Sequence, residues 1–108
     1  MIARVWRGAV RREDAEAYGA YINETGIAEY AGTAGNRGAW LLRSDEGDLA
    51  RFVTFSLWDS MDAVRGFAGD DVEAAVYYPE DDRYLVERGP KVEHYEVVGD
   101  AATLNTAP

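Results

Sequence analysis

Apolar and polar positions alternate from the first residues onward. Ile2, Arg4 and Trp6 fall on one face of a strand over residues 2–7, and Ala3, Val5 and Arg7 on the other. From Glu13 to Thr25 the spacing changes to three and four, through Ala17, Tyr18, Tyr21, Ile22 and Thr25, which predicts an amphipathic helix. Glu13 and Asp14 suit its first turn, and Gly26 offers a left-handed residue to end it. Residues 27–36 read as a Gly-bearing connection. A second strand follows at 37–43, with Trp40 and Leu42 opposite Ala39, Leu41 and Arg43. The run Ser-Asp-Glu-Gly-Asp at 44–48 predicts a hairpin turn into a third strand at 49–58. There Val53, Phe55 and Leu57 oppose Phe52, Thr54, Ser56 and Trp58, so large apolar groups occupy both faces and cover is expected on both.

Asp59 and Ser60 then offer N-cap oxygens to a helix whose buried stripe is Met61, Val64, Phe67 and Ala68, and Gly69 ends it. Asp70 or Asp71 is placed to cap a short helix carrying Val72, Ala75 and Val76, which Pro79 stops. Residues 80–90 read as a turn or frayed helical segment closed by Gly89-Pro90. A fourth strand over 91–98 sets Val92, His94 and Glu96 against Glu93, Tyr95 and Val97. The patternless stretch 99–108 reads as a disordered tail, which leaves one domain over 1–98. The order βα–ββ–αα–β predicts an α+β, ferredoxin-like fold: a four-stranded antiparallel sheet with helices on one face. Trp6, Trp40, Phe55 and Leu57 cannot all lie under those helices. A bare face carrying them would exceed the roughly 400 Å² patch that monomers tolerate. Two such faces packed together give a homodimer with a shared barrel.

Composition narrows the function. At 108 residues there is room for a single core. The net charge of −9 and scattered basic residues argue against a nucleic-acid surface. The absence of Cys removes disulfides, thiolate nucleophiles and thiolate metal sites. Neither a signal peptide nor a membrane span is visible, so a cytoplasmic protein is expected. No phosphate-cradling Gly loop, dinucleotide fingerprint or nucleophile elbow is present.

The unit FVTFSLWDSMDAVRGFAGDD, a strand ending in Trp58 followed by Asp-Ser and a helix, resembles the dimeric α/β-barrel superfamily, specifically its antibiotic biosynthesis monooxygenase branch. The resemblance extends over about residues 2–98. It implies a homodimer and a cofactor-independent oxidation of an aromatic, polyketide-like or quinol molecule by O2. It also allows a non-catalytic small-molecule-binding or pathway-accessory protein on the same fold. Trp58 corresponds to a Trp that the polyketide-type oxygenases use. Their Asn falls on Thr54 and their Tyr on Val64, while their Arg has no clear counterpart. The Asn, Trp and His of the haem degraders fall near Arg7, on Phe67 and near Tyr77, which argues against that reaction.

Trp58 is a candidate to stack on a flat substrate and donate its indole N–H to a developing oxyanion; it equally suits a core aromatic at a strand end. Tyr77 and Tyr78 suit phenol donors at a pocket rim or a packing pair. His94, the single His, is the natural general base if it points under the helices, and otherwise a structural residue. Thr54, Ser56 and Phe67 share the faces expected to line a pocket. Arg7 and Arg43 are candidates for an anionic substrate group or for ion pairs between subunits. Glu93 and Glu96 fall on opposite strand faces, and the Glu-Asp-Asp run at 80–82 reads as a solvated loop or helix cap. Neither set makes a metal site, and no cofactor is expected.

Overall fold

Strand β1 (Ile2–Arg11) is the axis of the sheet. In the computed structural model, which describes residues 1–89 and 91–100, it pairs antiparallel with β3 (Leu49–Trp58) along its whole length, from Ile2 opposite Trp58 to Arg11 opposite Leu49. Strand β2 (Asn36–Glu46) forms the expected hairpin with β3. Gly47, at φ 59°, supplies the left-handed turn residue between them. On the other edge of β1 lie two short strands, β4 (Leu85–Arg88) and β5 (Glu93–Glu96). The order is β2-β3-β1-β4, with β5 also on β1, which is the ferredoxin-like order with its fourth position split in two.

That split corrects the reading of one strand over 91–98 after a turn at 80–90. Residues 85–88 already pair with β1, reaching Gly8 opposite Arg88, and pairing resumes only at Val5 opposite Glu93. Between them the Gly89 N–H donates to the Arg7 carbonyl at 2.9 Å, and a Cβ at Gly89 would lie 3.1 Å from that oxygen. The next residue in sequence is a Pro, which has no N–H to give a ladder. The interruption lets Val92 turn into the core, where it is buried.

The first helical run is longer than its sequence pattern. A 3-10 turn at Arg12–Asp14 leads into α1 (Ala15–Ile22), a π turn at Asn23–Ile27 and α2 (Ala28–Gly32). Gly26 therefore does not end the helix. It is buried inside the π turn, and a Cβ there would lie 3.6 Å from the Tyr78 ring, an ordinary contact. The Thr25 hydroxyl bonds back to the Tyr21 carbonyl at 2.8 Å across the same turn. Helix α3 (Met61–Ala68) begins and ends as its residues predict. Ser60 Oγ accepts the Ala63 N–H at 3.2 Å, and Gly69, at φ 81°, closes it.

The predicted helix after Gly69 is absent. Residues 70–79 form bends, turns and irregular chain, and the next helix is the single turn α4 (Asp81–Tyr84). The cause is tertiary. The carbonyls of Val72 and Ala74 accept from the Arg4 guanidinium, and that of Glu73 accepts the Val92 N–H. Backbone groups that a helix would pair internally are committed to the sheet instead.

All helices lie on one face of the sheet, above Arg4, Trp6, Val10, Phe52, Thr54 and Trp58. Trp6 belongs to this covered face with Tyr18, Ile22 and Val92, not with Trp40, Phe55 and Leu57. The opposite face carries Trp40 and Leu42, 45% and 49% exposed, with the Trp40 ring 5.9 Å from that of Phe55. Residues 101–108 of the predicted tail lie outside the described residues. Among the described residues no helix is long and apolar enough to cross a membrane.

Candidate functional site

Arg4 is the least expected side chain in the interior. It occupies a covered position of β1, is 1% exposed, and has no carboxylate within ion-pair distance among the described residues. Its Nη1 donates to the Val72 carbonyl at 2.7 Å and lies 2.9 Å from His94 Nε2, while Nη2 reaches the Ala74 carbonyl at 3.4 Å. The guanidinium lies 5.7 Å from the Phe67 ring centroid, a cation–π contact. Burial pulls its pKa down, partly opposed by the neighbouring Tyr30 phenol.

Arg4 opens onto a cavity of about 30 Å³ between sheet and helices. Trp6 and Thr54 form its floor, Tyr18, Ile22, Gly26 and Tyr30 one wall, and Phe67, Ala75, Val76 and Tyr78 the other. The wall polar groups are largely committed. Tyr30 and Thr54 share a hydrogen bond at 3.3 Å. The Tyr18 hydroxyl donates to Asp81 Oδ1 at 3.0 Å, and Asp81 Oδ2 takes the Tyr78 N–H at 2.6 Å. The Tyr78 hydroxyl donates to Glu29 at 2.9 Å. Burial, and then the carboxylates beside them, push the Tyr18 and Tyr78 pKa values up, so both stay protonated donors. Two buried donors remain without partners among the described residues: Arg4 Nε and Trp6 Nε1.

The residues singled out from the sequence divide into three groups. Thr54, Phe67 and Tyr78 line the cavity. Trp58, Ser56 and His94 stand behind it. Trp58 is fully buried against Tyr30 and Phe67, and its indole N–H donates to Ser56 Oγ at 2.9 Å. His94 does point under the helices, opposite Arg4, but its Nε2 accepts from Arg4, which fixes a neutral ring with the proton on Nδ1. Burial and then the Arg4 charge lower its pKa, and Glu73 opposes them. Tyr77 and Arg7 lie elsewhere. Tyr77 is 40% exposed under the Arg88 guanidinium, and Arg7 pairs with Glu93 on the open face.

Arg4, Trp6, Tyr30 and Tyr18 were not singled out from the sequence. For Arg4 a signal existed: a charge between Ile2 and Trp6 breaks the apolar face of a central strand. Asp81, in the run read as a solvated loop or helix cap, is neither: it is 3% exposed, its Oδ2 accepts the Tyr78 N–H three residues before it, and no side chain caps α4. Among the described residues no three His, Cys, Asp or Glu side chains gather to hold a metal ion.

No protein-family model and no curated protein sequence matches the chain. Solved structures do. The haem-degrader MhuD of Mycobacterium tuberculosis, in a structure with two haems bound in its active site, is 18% identical at a TM-score of 0.58, covering 94% of this chain and 99% of that one. A protein of Bacillus cereus described as a candidate antibiotic biosynthesis monooxygenase is 13% identical at 0.64, covering 92% and 94%. One of Nitrosomonas europaea with the same description is 14% identical at 0.61, covering 92% and 100%. The chain thus has the fold of antibiotic-biosynthesis-monooxygenase-like proteins over nearly its full described length.

Proposed function

We propose that the protein takes an aromatic, quinol-like small molecule into the cavity beside Arg4 and oxidises it with O2 without a resident cofactor. The observation that carries this reading is a buried cation with no carboxylate partner, set among Phe67, Tyr30 and Tyr78 at a cavity. An unpaired buried charge costs several kcal/mol, and such groups beside cavities cluster at functional sites. The fold supports the reading, since its structural neighbours include proteins described as monooxygenases.

An anthrone-like substrate would itself carry both electrons. Its deprotonated form gives one electron to O2, the carbon radical and superoxide combine into a peroxide, and loss of water leaves a carbonyl. One oxygen atom enters the product, and the substrate's two hydrogens leave with the other. Arg4 would hold the substrate anion, Phe67 and Tyr78 its ring, and His94 would position Arg4 through its Nε2. Trp58 would keep the wall in place. A porphyrin suits the site less well, because the single imidazole already accepts from Arg4.

A second reading, a binding protein without turnover, is favoured by the committed Trp58 N–H donor and His94 Nε2 acceptor and by the small cavity. Under both readings, two copies join through Trp40, Leu42, Val53 and Phe55. The hollow of about 380 Å³ between Arg7, Leu42, Arg51 and Val53 would then be filled by the partner.

O2 uptake against a panel of anthrones and hydroquinones, with product mass, tests the enzyme. Uptake above the spontaneous rate, with one oxygen atom gained and the rate lost in Arg4→Gln, is expected. Ligand binding without uptake would leave the binding protein.

A further inference from the structure

We infer that Arg4 and Trp6 together form an oxyanion-binding site, and that the ligand enters the cavity as an aromatic carboxylate, phenolate or enolate with its anionic oxygen between Arg4 Nε and Trp6 Nε1. The inference rests on the reading above, that this cavity is the ligand site, and specifies what it selects.

Three observations converge on it. The two donors without partners belong to residues 1% and 8% exposed, and both residues line the same cavity. Arg4 and Trp6 are two apart on β1, so both side chains leave the same face of the strand. A buried N–H left unmet costs about 1–3 kcal/mol, and a buried cation without a counter-charge costs more. Water would satisfy the N–H groups but not the charge. One anionic oxygen satisfies both.

Size and rigidity agree. A cavity of about 30 Å³ has room for roughly two waters, comparable to the two oxygens of a carboxylate. Arg4 cannot swing to meet a ligand elsewhere, because two carbonyls and His94 fix its other nitrogens. The site is therefore preorganised, with Nε left over as the free donor. The ring of an aromatic anion would lie toward Phe67 and Tyr78, on the side closed by residues 72–78. The Val72 and Ala74 carbonyls hold Arg4, so admission of a ring requires Ala75, Val76 and Tyr78, beyond that tie, to move outward.

The three tryptophans provide the test, since each indole N–H gives its own resonance and the three differ in surroundings. Trp6 is buried without a partner, Trp58 is buried on Ser56, and Trp40 is exposed. The full 15N-labelled chain is titrated with sodium benzoate, sodium formate or benzamide, against sodium chloride at equal ionic strength. Benzoate is expected to move the Trp6 Nε1–H resonance downfield and saturably while Trp40 follows the chloride control. Benzamide, of the same shape but neutral, is expected to bind at least about tenfold more weakly, a difference of roughly 1.4 kcal/mol. Arg4→Lys, which keeps a charge but loses Nε, should weaken benzoate, and Arg4→Met should abolish the preference for the anion. The wild-type titration decides even where a variant fails to fold.

Benzamide matching benzoate would overturn the oxyanion site and leave an aromatic pocket. A Trp6 shift with formate alone would support the oxyanion site and remove the aromatic part of the reading. No saturable Trp6 shift with any of the three would overturn both.

Discussion

Arg4 Nη1 and His94 Nε2 meet at 2.9 Å across the β1–β5 ladder, a guanidinium donating to an imidazole that must stay neutral to accept it. Protonating His94 would set two cations against each other in a half-buried place. Burial and the Arg4 charge both hold its pKa below the usual histidine value, with Glu73 opposing them. In the unfolded chain His94 binds a proton as pH falls through about 6.5, whereas in the folded chain it resists. The unfolded state then binds more protons, so stability rises with pH across that window and is lost on acidification. Urea unfolding of the wild type beside His94→Gln should show this. The stability difference between them is expected to shrink from pH 7.5 to pH 5.5. A difference independent of pH would mean that His94 does not accept from Arg4.

Gly26 gives a test of the π turn. Had Gly26 ended the helix in a left-handed conformation, a Cβ there would be strained. Gly26 is absent from the positive-φ glycines, and a Cβ would meet the Tyr78 ring at 3.6 Å and Ile22 Cγ2 at 4.0 Å, ordinary contact distances. Gly26→Ala is therefore expected to stabilise the protein by roughly 0.4–1 kcal/mol, through the lost freedom of the unfolded chain. Thermal and urea unfolding measure it. A loss of stability would return Gly26 to the role its sequence position suggests.

The contrast between Gly26 and Gly69 shows what was legible in the chain. Ser60, the Met61–Ala68 stripe and Gly69 act within one helix, so their meaning is local and was readable. The limits of β3 were readable for the same reason, because Leu49 to Trp58 alternate between a turn and a cap. Gly26 depends on Tyr78, more than fifty residues away in sequence, and the irregular chain at 70–79 depends on Arg4 and Val92. No pattern within either segment carries that information. Arg4 lies between these cases. A charge on the apolar face of a central strand is visible in sequence, but whether it is exposed at an edge or buried beside a cavity is decided by what packs over it. Trp58 was recognisable at its strand end, whereas its commitment to Ser56 follows from burial.

That commitment predicts a cost. The Trp58 indole N–H is fully buried, and Ser56 Oγ, two residues earlier on the same strand face, is its acceptor at 2.9 Å. Ser56→Ala removes the acceptor and leaves the donor unmet, with little change in volume. A loss of about 1–3 kcal/mol is expected in urea unfolding. If Trp58 instead gave its N–H to a ligand in the cavity, Ser56→Ala would lower ligand affinity and leave the stability of the free protein almost unchanged.

The open face makes the last prediction. Trp40 and Leu42 are nearly half exposed, Phe55 packs beside Trp40, and Val53 and Leu57 extend the same apolar band along β3. Charged groups bound it toward one end, where Arg51 is held between Glu46 and Glu87 at 3.0 and 2.8 Å. Such a border limits edge-on association and leaves face-to-face packing of two sheets as the way to cover the tryptophan. A self-associating protein gains stability with concentration, because the folded dimer is favoured by mass action. The unfolding midpoint should therefore rise with protein concentration, and sedimentation should give twice the chain mass. Trp40→Glu places a carboxylate in the middle of the band, where pairing the faces would bury two of them. It is expected to yield a folded monomer whose midpoint no longer depends on concentration. A wild type that sediments as a monomer, or a Trp40→Glu variant that remains a dimer, would show that this face is not the contact.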